Sequence, residues 1–70
     1  MASQKNKILK HLIEHGSIEP LEALREFGCM RLGARIGDLR ADGYSIKTEY
    51  MMKRNAEGNI VRWAKYTLVV

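Results

Sequence analysis

Apolar side chains recur along this chain first at helical spacing and then at alternating spacing, and the switch falls at Gly43. Ile8, Leu9, Leu12 and Ile13 fall on one stripe, with Lys5, Lys7, Lys10 and Glu14 mostly elsewhere, which predicts an amphipathic helix over 4–15. Ser3 suits its N-cap, and Gly16 stands where a left-handed glycine ends helices. Ser17, Ile18 and Glu19 read as a short connector. Pro20 fits the first position of a second helix, because proline's missing N–H is not needed there. That helix, 20–27, is expected to turn Leu21, Leu24 and Phe27 inward and Glu22, Arg25 and Glu26 to water, with Gly28 closing it.

Cys29 and Met30 lead into a third helix, about 31–41, stopped by Asp42 and Gly43. Leu32, Ile36 and Leu39 mark its buried stripe, and Arg31, Ala34, Arg35 and Asp38 fall to the other side. From 44 to 54 the period is two, as in a half-buried strand. Asn55, Gly58 and Asn59 supply turn chemistry, and a second strand follows over 60–68. Ala64, Tyr66 and Leu68 are expected to face the helices, with Trp63 and Lys65 on the other side. Two short helices joined by a brief glycine-containing turn make a helix-turn-helix, and the hairpin after it makes a wing. The fold class is therefore α+β, a winged helix-turn-helix with three helices and a β-hairpin wing, forming one domain over 1–70.

Charge gives this fold a direction. Residues 1–30 balance Lys5, Lys7, Lys10 and Arg25 against four glutamates, so the whole excess of +4 lies in the second half. An uneven basic surface suggests a polyanionic partner. Cys29 is the only cysteine, so no disulfide staples the chain, and a reducing compartment is expected. The opening MASQKNK has no signal-peptide pattern, and no apolar run approaches the roughly 20 residues that span a bilayer. A cytoplasmic protein with no membrane partner follows as the expectation.

Double-stranded DNA is the partner these features predict. Arginine reads guanine through a two-pronged hydrogen bond, and short residues let a helix backbone approach the major groove. Arg31, Ala34, Arg35 and Asp38 are the candidate base-facing residues, with Lys53, Arg54 and Arg62 of the wing on phosphates. A single small module buries little DNA surface, which a homodimer on a two-fold site would remedy. The rival reading is a winged-helix protein-interaction module that turns the same surface to an acidic protein. Glu19, Glu22 and Glu26 sit badly with DNA, because carboxylates near the start of the second helix repel phosphate.

Several residues have competing readings. Gly33 and Gly37 each cost on the order of 1 kcal/mol against alanine inside a helix. They permit close approach either of a DNA backbone or of the first or second helix, and the neighbouring helix is the expected reason. Trp63 can stack on a base, close a dimer or cover the hairpin, with packing or dimerisation expected. Arg40 and Asp42 are expected to make surface interactions only. Cys29 reads as a small buried residue at the turn. HLIEH, His11 to His15, matches the H-x-x-E-H pattern of metalloproteases. It lacks a third ligand and a cleft, so it reads as a chance match, and no enzyme activity, cofactor, metal or small-molecule substrate is expected.

RLGARIGDLRADGYSIKTE, followed by a wing and YTL, resembles the small phage-type helix-turn-helix proteins. Their pattern, close to R-L-x-A-R-I-x-D-L-R-x-x-G-Y-x-I, is matched by Arg31, Leu32, Ala34, Arg35, Ile36, Asp38, Leu39, Arg40, Gly43, Tyr44 and Ile46. ILKHLIEHGSIEPLEALREFGCM is similar to the first two helices of that family. The resemblance implies winged-helix DNA binding in the regulation of phage or prophage genes.

Overall fold

A computed structural model describes residues 3–69; Met1, Ala2 and Val70, which the expected single domain includes, lie outside the described residues. The elements run α1 (Gln4–His15), β1 (Ser17–Ile18), α2 (Pro20–Phe27), α3 (Leu32–Ala41), β2 (Ile46–Arg54) and β3 (Ile60–Leu68). Three helices pack against an antiparallel sheet of order β1-β3-β2, a winged helix-turn-helix.

Local chemistry sets the helix ends. Ser3 caps α1 through its Oγ, which accepts from the Asn6 N–H at 3.1 Å. At the other end of α2, Gly28 has φ 62°, and its N–H donates to Leu24 O while the Cys29 N–H donates back to Ala23 O. This double closure needs a left-handed residue, and glycine adopts it without strain. It brings the chain round into α3 within a few residues and buries Cys29 as expected. Helix α3 starts one residue later than its spacing suggests, because Arg31 is the N-cap.

The core joins Ile8 and Leu12 of α1, Ile18 of β1, Ala23 of α2, Leu32, Ile36 and Leu39 of α3, and Ile46 of β2. Three expected inward residues are absent from it. Ile13 is 64% exposed, since five residues from Ile8 carry it about 140° round the helix. Leu21, 65% exposed, and Leu24 also face outward. The inward line of α2 is instead Ala23 with half-buried Phe27, and the small alanine lets α2 settle close to the core.

Two stretches differ from the pattern-based reading. The connector is a strand: Ser17 and Ile18 pair with Thr67 and Tyr66, making β3 the central strand. Short length hid it, because two residues show no periodicity. Strand β2 begins at Ile46 rather than Tyr44, since the Tyr44 N–H turns back to Leu39 O at 3.1 Å to close α3. Register between β2 and β3 is unbroken from Ile46↔Leu68 to Arg54↔Ile60. Asn55 organises the tip: its Oδ1 accepts from the N–H groups of Glu57 and Asn59, each at 3.0 Å. Gly58 is the one tip residue with positive φ, 85°. Among the described residues no helix is long and apolar enough to cross a membrane.

Candidate nucleic-acid interface

Helix α3 presents its flanks and its outer line differently. At 3.6 residues per turn, burial of Leu32, Ile36 and Leu39 sends Ala34, Gly37 and Ala41 to the other side, where Gly37 and Ala41 are exposed and Ala34 is half-buried. This line is short-chained throughout, with Asp38 beside it. Arg31 lies exposed at the helix start and makes no ion pair among the described residues. Arg35, one turn on, is half-buried; its Nε lies 3.5 Å from Asp38 Oδ2 and makes no hydrogen bond. The candidate residues of α3 are therefore brought together, but not as a uniform cationic ridge: one arginine is open and the other leans on an aspartate.

Gly33 and Gly37 contradict the expectation of helix–helix crowding. A Cβ at Gly37 would meet nothing within 4 Å, and one at Gly33 would meet only the Tyr66 hydroxyl at 3.5 Å, an ordinary contact. Neither α1 nor α2 approaches these positions; the flank of α3 that carries Gly33 faces β3.

Arg40 also departs from its expected surface role. Its Nε and Nη2 donate to Ile46 O at 3.2 and 2.7 Å, and Nη2 donates to Thr48 Oγ1 at 2.7 Å. The guanidinium lies 6.0 Å from the Tyr66 ring centre. Arg40 thus fastens α3 to the first residues of the wing, satisfying a carbonyl that has no ladder partner on that side of β2. Asp42 ties α3 to α1 through Lys5 Nζ at 2.7 Å. That hydrogen bond and the adjacent carboxylate charge raise the Lys5 pKa above its ordinary value of 10.5.

The wing carries Lys53, Arg54 and Arg62 near its tip, all exposed, where Met52 pairs with Arg62, Lys53 with Val61 and Arg54 with Ile60. None makes an ion pair among the described residues, whereas Lys47 lies 3.7 Å from Glu49. Trp63 is not on a bare outer face. Its Nε1 donates to the carboxylate of Glu19, the N-cap of α2, so the indole joins the wing to that helix.

Glu19 and Glu22, at the start of α2, have internal partners. Glu22 Oε1 accepts from the Glu19 N–H at 3.1 Å, and its Oε2 lies 3.7 Å from His11 Nε2. Their positions are explained by helix capping and by Trp63, so they need no ligand to account for them. His11 and His15 stand 4.5 Å apart ring to ring, with His11 edge-on to Phe27 at 5.7 Å. Among the described residues no cluster of three His, Cys, Asp or Glu side chains could hold a metal ion.

An apolar groove of about 660 Å³ opens between α2, the α2–α3 turn and β3, lined by Leu21, Leu24, Met30, Leu32, Val61 and Trp63. Periodicity assigns Leu21 and Leu24 to the core, and both instead line this groove. The Arg40 clamp, the Glu19 partner of Trp63 and this groove are what the sequence reading missed, and only Arg40 left a signal, an arginine one turn past a buried residue at the helix end.

No curated protein matches the chain. The description "winged helix-turn-helix domain" belongs to a family model that matches residues 3–70. With that match over nearly the whole chain, and with three helices, a three-stranded sheet and a hairpin wing in its fold, the chain belongs to the winged helix-turn-helix domain family.

Proposed function

We propose that this protein binds double-stranded DNA, with α3 in the major groove and the wing on the adjacent backbone, as a phage- or prophage-type transcriptional regulator of the cytoplasm. The observation that carries the reading is the open outer line of α3. Exposed Gly37 and Ala41, beside half-buried Ala34, leave room for a duplex, and nothing lies within 4 Å of a Cβ placed on Gly37. Glycine in a helix interior is unfavourable by roughly 1 kcal/mol, and close approach of a partner is the compensation that fits an empty space.

Arg31 and Arg35 then read base edges from the start of α3. Asp38 beside Arg35 Nε steadies the guanidinium and leaves both terminal nitrogens to face guanine, the fork geometry that discriminates by about 1–3 kcal/mol. Lys53, Arg54 and Arg62 hold phosphates and supply affinity without sequence preference. Selection of bound duplexes from a random pool tests this reading. It should return one consensus for the protein, and Arg35→Ala should lose affinity for that consensus far more than for unrelated DNA. Equal loss on both would count against direct readout.

The groove between α2 and β3 favours a second reading, a protein-interaction module. Exposed Leu21 and Met30 form an apolar surface that DNA does not use, and it would equally serve a homodimer on a two-fold site. Light scattering separates these: a mass of two chains that falls to one in Leu21→Ser supports the dimer.

A further inference from the structure

One face of the wing is exposed, apolar and cationic at once. Side chains alternate along a strand, so Tyr50, Met52 and Arg54 share a face of β2, and Ala64, Arg62 and Ile60 stand opposite them on β3. Tyr50 is 80% exposed, Met52 64% and Ile60 57%. Arg54 and Arg62 occupy diagonal positions, each paired across the strands with one apolar residue. No carboxylate lies on this face: Glu49 points the other way beside Lys47, and Glu57 belongs to the tip. The opposite face is already used, since Val61 and Trp63 line the groove against α2.

Three large apolar groups in water call for a cover, and their neighbours narrow what covers them. A second copy meeting this face would bring two pairs of arginines, Arg54 and Arg62, together with no carboxylate between them. A duplex offers both things the face lacks. Its minor groove attracts arginine by negative potential, and apolar side chains such as Met and Ile enter there between base steps, unstacking them.

We infer that the free face of the wing is a DNA-bending wedge. Met52 and Ile60 enter a base step from the minor groove, Tyr50 covers the neighbouring sugar edge, and Arg54 and Arg62 hold the flanking phosphates. This role rests on the duplex binding proposed above and adds that the bound duplex is kinked. Pyrimidine–purine steps, which unstack most easily, are the preferred sites.

A duplex of about 30 base pairs, labelled with a fluorophore at each end and carrying 2-aminopurine at a central TA step, tests the role. Anisotropy reports binding, energy transfer between the ends reports the bend, and 2-aminopurine emission reports unstacking. The wild-type chain should bend the duplex by about 20–90° and raise the emission. Met52→Ala/Ile60→Ala, at exposed positions that leave the melting temperature unchanged, should bind with the same salt dependence and leave the duplex straight. Arg54→Ala/Arg62→Ala should lose affinity. Wild-type binding to a straight duplex overturns the wedge while duplex binding stands, as does undiminished bending by Met52→Ala/Ile60→Ala. A change in solution mass in that variant would assign the face to self-contact and also overturn the wedge. Absence of any anisotropy change refutes duplex binding itself, and the wedge with it.

Discussion

The base and the tip of the wing follow one alternation yet meet opposite fates. At the base, Ile46 is buried, Thr48 is held by Arg40, and Tyr66 and Leu68 pack on the core. Four residues further along β2, on the same face, Tyr50 and Met52 stand in water. Length explains the divergence. Nine residues of β2 extend about 30 Å, whereas the ten residues of α3 cover about 15 Å. The ribbon overshoots its helices, so alternation dictates which residues share a face but not whether anything covers them. A buried base serves folding, and an uncovered tip is available to a partner.

The largest effect separating the two should come from the base. Ile46→Ala removes a buried side chain and should lower unfolding free energy by about 2–4 kcal/mol in urea. Arg40→Ala should follow at about 1–2 kcal/mol, because the Ile46 carbonyl loses a charged donor. Arg40→Lys should recover only part of this, since lysine has no fork. Gly37→Ala should move the opposite way, stabilising α3 by about 0.5–1 kcal/mol in thermal melts while weakening duplex binding. Met52→Ala at the tip should change stability by less than about 0.5 kcal/mol; a larger loss would mean the tip is packed after all.

The smallest effect is a pH dependence at Lys5. Its pKa is raised in the folded chain, so the Asp42 contact contributes stability that is complete below the unfolded value and is lost as pH rises through the folded one. Denaturation midpoints should therefore fall above pH 10.5 in the wild-type chain, and Lys5→Met should remove that part of the fall.

The fold was legible because its signals repeat. Ile8 and Leu12, or Leu32, Ile36 and Leu39, mark a helix face several times over, and Gly16, Gly28 and Gly43 punctuate the ends. Helix α2 was harder to read because two turns carry too few apolar residues to fix a face, and the decisive one is Ala23. Strand β1 was invisible, since pairing with β3 comes from residues about fifty positions away. The candidate residues of α3 were legible as neighbours on one helix but not in their pairing. Arg31, Arg35 and Arg40 look alike in sequence; only the packed chain makes one open, one leaning on Asp38 and one a clamp on β2. Likewise the open space over Gly37 became visible only when the neighbouring helices were found elsewhere.

Whether α3 and the wing form a duplex-binding surface is read from the salt dependence of binding to a labelled duplex. Binding constants plotted on logarithmic axes against salt should fall linearly, and replacing any one of Lys53, Arg54 or Arg62 with alanine should reduce the slope by about one. No binding at low salt, or a slope indifferent to all three substitutions, would contradict the account.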